Sequence, residues 1–247
     1  MRPTPIGSDL LATLGLRSAP PYYAALAPAV PCSLGGAAQF SPLVAQKQTW
    51  EPKVKLPIHE NARSALIIVD MQKYFFQDVE RRRNLDQVVN NINTLIDYFD
   101  ECSLPVFHVV SCYQANRSDW DLKMKTTGEP ELIIGTQEAE ILSEIRVSKR
   151  HNSIIKTRYS AFFKTNLAEL LQDHRIDRVV VIGAYTHYCV NATIFDAYCY
   201  DFVPSIITDA VISHLEKEAN VMIDRMRRNG YHVFTTQELI AGMACCN

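Results

Sequence analysis

V-V-V-I-G-A-Y-T-H-Y-C-V occupies residues 179–190. Four apolar, mostly β-branched residues run from Val179 to Ile182 into Gly183, Cys189 follows, and a helical pattern comes after it. A short apolar run closed by a turn residue reads as a strand buried on both faces, the kind a parallel sheet needs. A cysteine just past such a strand, where a helix begins, sits among free backbone N–H groups at the positive end of a helix dipole. Both favour a thiolate. Cys189 is therefore a candidate nucleophile. The competing reading is a small buried hydrophobe, and the rest of the chain must decide.

Working outward, strand and helix patterns alternate. Residues 64–69 (S-A-L-I-I-V) read as a buried strand ending at Asp70. Residues 84–101 read as a helix, with Leu85, Val88, Val89, Ile92, Leu95, Ile96 and Phe99 at spacings of three and four. Strands are expected at 106–112, 153–156, 204–208 and 232–235. Helices are expected at 141–145, 167–174, 190–200, 215–228 and 237–241. The long polar stretch 113–136 reads as a functional loop. Such alternation predicts a three-layer α/β/α, Rossmann-like fold with a mostly parallel sheet. In these sheets ligands bind at the carboxyl ends of the strands. That rule singles out Asp70, Lys156 and the segment 183–189.

The first 60 residues differ. Nine of the 12 prolines lie in the first 57 positions, and Asp9 is the only acid among the first 50. Proline at this density excludes long helices and central strands. Residues 1–60 read as a Pro/Ala-rich arm with one short helix near 8–16, and 61–247 as the domain. The arm lacks the basic leader and clean apolar core of a secretory signal. It is expected to wrap the domain or a neighbouring subunit.

A net charge of -2 without a long basic run points away from nucleic acid. No apolar run approaches the ~20 residues that span a bilayer. Seven cysteines at irregular spacing, with no C-x-x-C pair, suit free thiols in a reducing cytosol. The expectation is a cytoplasmic protein acting on a small molecule, with no nucleic-acid or membrane partner.

Three strand ends then carry complementary chemistry. Asp70 is a carboxylate after four apolar residues; a helix cap or turn would also account for it. Lys156 closes S-I-I-K; a snorkelling surface lysine or an ion pair with Asp70 would also account for it. Together they supply what Cys189 needs. A cysteine at its free pKa of ~8.5 is mostly thiol at neutral pH. Asp70 can take its proton, and Lys156 can lower both pKa values and orient the carboxylate. Backbone N–H groups of the turn 184–189 can hold an oxyanion. No G-x-S-x-G, G-x-G-x-x-G or Walker loop competes.

The motifs A-L-I-I-V-D-M-Q-K-Y-F (65–75), I-K-T-R-Y-S-A-F-F-K-T-N-L (155–167) and G-A-Y-T-H-Y-C-V-N-A-T (183–193) occur in this order. In this the chain resembles the isochorismatase-like superfamily of cysteine hydrolases, over roughly residues 60–241. The resemblance implies Asp70 as general base, Lys156 as positioning cation and Cys189 as nucleophile. It implies a non-proline cis peptide at Ala184–Tyr185, an oxyanion hole from the N–H groups of Tyr185 and Cys189, and a homo-oligomer, dimer or tetramer. Isochorismatases of this superfamily typically carry Gly where Cys189 stands and cleave a vinyl ether without a covalent intermediate. Amide-cleaving members carry the cysteine. The flanking motifs here look like the isochorismatase side, but the thiol decides chemistry more directly. Hydrolysis of a C–N bond in a small amide, carbamoyl or ureido compound is therefore expected. The alternatives are a vinyl-ether hydrolase using Asp70 and Lys156, and a non-catalytic binding protein on the same fold.

Nicotinamidases of the superfamily bind a metal through a D-x-H pair after the first catalytic Asp. Gln77-Asp78-Val79-Glu80 has no such pair. His108 and His187 read as hydrogen-bonding or packing residues, so neither metal nor cofactor is expected. For the substrate, Arg158 can grip a carboxylate, or be solvated or ion-paired. Gln72 can hold a polar group, or pack a turn. Phe75, Trp120, Tyr159, Phe163 and Tyr185 are candidate pocket walls or core.

Overall fold

The computed structural model describes residue 56 and residues 62–243. The arm at 1–60 apart from Leu56, its short helix at 8–16 and the pair Cys245-Cys246 lie outside the described residues.

Six strands form one sheet: β1 (Ser64–Val69), β2 (Val106–Ser111), β3 (Asn152–Lys156), β4 (Arg178–Ala184), β5 (Val203–Ile212) and β6 (His232–Phe234). Their order is β3-β2-β1-β4-β5-β6, and every neighbouring pair is parallel. The helices are α1 (Leu85–Glu101), α2 (Leu122–Thr127), α3 (Leu167–Asp173), α4 (Asn191–Cys199), α5 (Glu216–Arg228) and α6 (Thr236–Gly242). The expected α/β architecture is the one observed, with a sheet that is wholly parallel. β1 and β4 are buried at every residue, as strands covered on both faces must be. All seven apolar positions at spacings of three and four in α1 are buried. Strand order runs outward from β1 in one direction and from β4 in the other. The reversal opens a crevice between β1 and β4 at their carboxyl ends.

Three segments depart from the sequence reading. Residues 141–145 form no helix. Ile141 bridges Gln72, and Leu142 N–H donates to Met71 O at 2.9 Å. The chain after β1 takes the hydrogen bonds a helix would have used internally. β5 does not stop before Asp209 but runs on to Ile212. Ile206 pairs with Val181 and Val211 with Gly183, so β5 bulges there and reaches further along the sheet. The stretch 113–136 is not structureless, since it contains α2. Asp121 caps that helix through Met124 N–H (2.8 Å), and Gly128, at φ 76°, ends it. Trp120, Met124 and Leu132 from this stretch pack with Val110, Cys112, Tyr113 and Ala139 in a small core distinct from the main one.

Cys112, Cys189 and Cys199 are free thiols, whereas Cys102 is disulfide-bonded, which departs from the all-thiol expectation. Among the described residues no helix is long and apolar enough to cross a membrane.

His108 lies within β2, 3% exposed, with Nε2 2.9 Å from His151 Nδ1. Ser148 N–H also donates to His151 Nδ1 (3.1 Å), so that nitrogen is an acceptor. His151 then carries its proton on Nε2, 3.2 Å from Asp100, and His108 donates from Nε2. Burial, and secondarily His151, lowers the His108 pKa to about 4. Below the ordinary value near 6.5 the unfolded chain binds a proton that the folded one refuses. Stability therefore falls as pH drops from that value toward the folded pKa. Urea unfolding at pH 7 and pH 4.5 should show the native chain losing about 2 kcal/mol more over this interval than a His108→Gln variant. Equal losses would remove His108 as the cause.

Candidate active site

The three chemical residues stand at strand ends that the sheet makes neighbours. Asp70 follows β1, Lys156 ends β3, and Cys189 lies in the π-helical turn Thr186–Val190 that joins β4 to α4. Asp70 sits at φ 53°, a left-handed conformation that aspartate tolerates. Its N–H donates to Val109 O at 2.8 Å, which fixes it against β2. The close approach of β1 and β4 requires glycine at 183. That residue has φ 108°, and a Cβ there would stand 2.2 Å from Val69 O. The Ala184–Tyr185 peptide bond is cis.

Lys156 Nζ is the hub. It lies 2.8 Å from Asp70 Oδ2 and donates to Cys189 Sγ at 3.3 Å, to Ser111 Oγ at 2.7 Å and to Arg158 O at 3.1 Å. Lys156 is 1% exposed and Asp70 0%. Ser111 Oγ accepts from the lysine and donates to Asp70 Oδ1 at 2.9 Å. The other carboxylate oxygen, Oδ2, faces its cation at 2.8 Å. Burial works against the charge on Lys156, but the Asp70 carboxylate beside it outweighs burial and its pKa is raised.

The thiol departs from the expectation. Burial first, and the Asp70 charge second, push the Cys189 pKa well above the ordinary thiol range, and Lys156 only partly offsets them. Both favour the protonated thiol over a preformed thiolate. Desolvation wins because the sulfur is 8% exposed, in a turn that precedes the α4 N-terminus by two residues.

A cavity of about 760 Å³ opens onto this group, with Lys156 and Cys189 in its wall. Phe75, Arg158, Tyr159 and Tyr185 line it, as do Tyr74, Tyr113, Tyr188 and His214, which sequence reasoning did not single out. Tyr159 and Tyr188 are exposed and stack at 5.5 Å. The Tyr185 hydroxyl donates to Phe75 O at 2.6 Å, which ties the start of the Cys189 turn to the segment after β1. Arg158 donates to the carbonyls of Asp119, Thr157 and Trp120, and none of these bonds goes to a carboxylate. A second cavity, about 740 Å³, contains none of the three chemical residues.

Three expected substrate contacts stand elsewhere. Gln72 is 0% exposed; its amide donates to Ser111 O and Ala139 O and accepts from Ser111 N–H. It braces the β2 end and does not face the cavity, because backbone groups consume its polar atoms. Trp120 is buried in the small core with its indole N–H on Gln114 O at 2.9 Å. Phe163 lies outside the cavity wall with Lys164 over its ring. Ser111 was missed because the sequence reading carried this strand one residue further, to Cys112, whereas the observed β2 ends at Ser111.

The isochorismatase domain model matches residues 64–238. The chain is 26% identical to enterobactin synthase component B of Escherichia coli (strain K12) over 182 residues, 73% of this chain and 64% of that protein. It thus spans less than two thirds of that relative's length. It is 31% identical to nicotinamidase 3 of Arabidopsis thaliana over 163 residues, 64% of this chain and 79% of that protein. Among solved structures, the N-carbamoylsarcosine amidase of Thermoplasma acidophilum superposes with a TM-score of 0.62 at 27% identity, covering 71% of this chain and 98% of that one.

The raised thiol pKa has an optical consequence. The difference in thiolate absorbance near ~240 nm between the native chain and Cys189→Ala should stay flat from neutral pH past the ordinary thiol value of ~8.5. A step below pH ~7 would show a preformed thiolate instead. Gly183→Ala should abolish the soluble fold or lower its melting temperature by about 10 °C or more, because backbone cannot retreat from a Cβ so close. An unchanged melting curve would contradict that packing.

Proposed function

The chain belongs to the isochorismatase domain family, whose members are hydrolases, and within it we propose that this protein is a cysteine hydrolase cleaving a C–N bond of a small amide, carbamoyl or ureido compound. The observation that carries the reading is the single ammonium of Lys156 within 2.8 Å of Asp70 and 3.3 Å of the Cys189 sulfur, out of solvent. A vinyl-ether hydrolysis without a covalent intermediate has no use for that sulfur. Relatives named nicotinamidase and N-carbamoylsarcosine amidase support the same direction.

In the proposed course, substrate enters the tyrosine-lined cavity with its carbonyl carbon against Cys189. Asp70 Oδ2 takes the thiol proton as Sγ forms its bond to carbon. The lysine cation stays in place and stabilises the carboxylate before transfer and the sulfur during it. The carbonyl oxygen becomes an oxyanion held by the N–H groups of Tyr185 and Cys189. Asp70 passes the proton to the leaving nitrogen, and the C–N bond breaks. Water, deprotonated by Asp70, then attacks the thioester, and the thiol regains its proton. The Arg158 guanidinium, whose hydrogen bonds all go to neutral carbonyls, is offered as the partner of a substrate carboxylate. A homo-oligomer and a cytoplasmic location belong to the same reading.

A panel of small carboxamides, carbamoyl amino acids and ureido acids, assayed for ammonia release, tests it. Cys189→Ala and Asp70→Asn should each lose activity by a factor on the order of 10³ or more. Activity on isochorismate that persists in Cys189→Gly and disappears in Asp70→Asn would replace the amide reading with vinyl-ether cleavage.

A further inference from the structure

The turn that carries Cys189 is tied from outside by groups that the proposed course does not use. Thr186 Oγ1 donates to Ile212 O at 3.1 Å, at the end of the bulged β5. One residue on, His187 Nδ1 lies 2.7 Å from Ser213 Oγ. Ser213 Oγ also accepts Leu215 N–H at 3.0 Å, so the hydroxyl is pinned between the start of α5 and the imidazole. The far nitrogen, His187 Nε2, is buried with no hydrogen-bond partner among the described residues. Leaving a buried polar atom unmet is costly, so the ring is held by its one good bond and by its neighbours. Those neighbours are Tyr185, parallel at 6.4 Å, and Tyr188 at 4.2 Å. Burial, with His214 second, lowers the imidazole pKa and favours the neutral ring.

This places a fixed side chain between the two peptide groups that matter. Tyr185 precedes Thr186 and His187, and Cys189 follows them by two residues. The amides on either side of Cys189, those of Tyr188 and Val190, both turn back onto Tyr185 O, at 3.0 and 3.3 Å. A rotation of the turn about this carbonyl would therefore carry both oxyanion donors with it.

We propose that His187 and Ser213 are positioning residues, whose hydrogen bond sets the rotation of the 186–190 turn and with it the aim of the Tyr185 and Cys189 N–H groups. The inference rests on the cysteine-hydrolase reading. It adds the β5–α5 junction to the machinery, although neither side chain belongs to the Asp-Lys-Cys set.

Two probes separate the aim of the donors from the reactivity of the thiol. p-Nitrophenyl acetate needs the oxyanion donors: sulfur bonds to the ester carbon, p-nitrophenolate leaves, and the thiol proton passes to Asp70. Iodoacetamide does not need them: sulfur bonds to methylene carbon, iodide leaves, the thiol proton again passes to Asp70, and no oxyanion forms. Ser213→Ala and His187→Ala should slow acylation of Cys189 about tenfold, while alkylation stays within about twofold of native. His187→Asn, whose side-chain amide can occupy the Nδ1 position, should recover most of the acylation rate. Unchanged acylation, or equal slowing of both probes, would overturn the proposal. Cys112, a buried free thiol, is the check on the fold. If mass spectrometry finds it labelled in the alanine variants, His187→Asn decides: near-native acylation supports the proposal, and slow acylation with intact Cys112 overturns it. Native protein that acylates no faster than Cys189→Ala would instead bring down the nucleophile reading, and this inference with it.

Discussion

A lysine and an aspartate share one buried space at the carboxyl edge of the sheet. Removing either partner would strand a buried charge, at a cost of about 3–5 kcal/mol. The rest of the arrangement answers to that constraint. Asp70, Ser111 and Lys156 end three consecutive strands, so parallel pairing itself delivers carboxylate, hydroxyl and ammonium to one level. Ser111 bridges the two charges, and Gln72 in turn holds the backbone of Ser111. The sulfur arrives from the fourth strand as the remaining neighbour of an already satisfied cation.

The strand-end logic was legible because it depends on local patterns. Apolar runs at 64–69 and 179–182 mark strands buried on both faces, and the residues just past such a run must lie at the sheet's edge. Asp70, Lys156 and Cys189 could be placed together on that ground. The thiol's protonation state could not, because sequence adjacency to a helix says nothing of how much water reaches the sulfur. Desolvation is a property of the assembled site, and here it outweighs the lysine.

Other residues were misread for one recurring reason: their partners lie far off in sequence. Gln72 looks like a polar group in search of a ligand until Ser111 and Ala139 close around it. Trp120 looks like a pocket wall until the 113–136 stretch folds into its own core. Residues 141–145 have apolar spacing that suits a short helix, yet Met71 and Gln72 draw their backbone into contacts across the sheet edge. The bulge in β5 arises from how two strands register, which no single segment encodes.

The small core around Trp120 and Met124 has an evolutionary reading. Its members come chiefly from 113–139, and the segment also supplies Tyr113 and the outer cavity residues Asp121, Leu122 and Lys123. The charged pair of the candidate site hangs from the main sheet, whose core meets the small one at Phe75 and Ile141. Substitutions at the outer positions 121–123 can therefore reshape what the cavity admits without touching Asp70, Lys156 or Cys189, whereas Val110 and Cys112, which flank Ser111, and Ala139, which holds Gln72, tie the inner part of this unit to the site. Such a division would let the rim be retuned while the charged group behind it is held still.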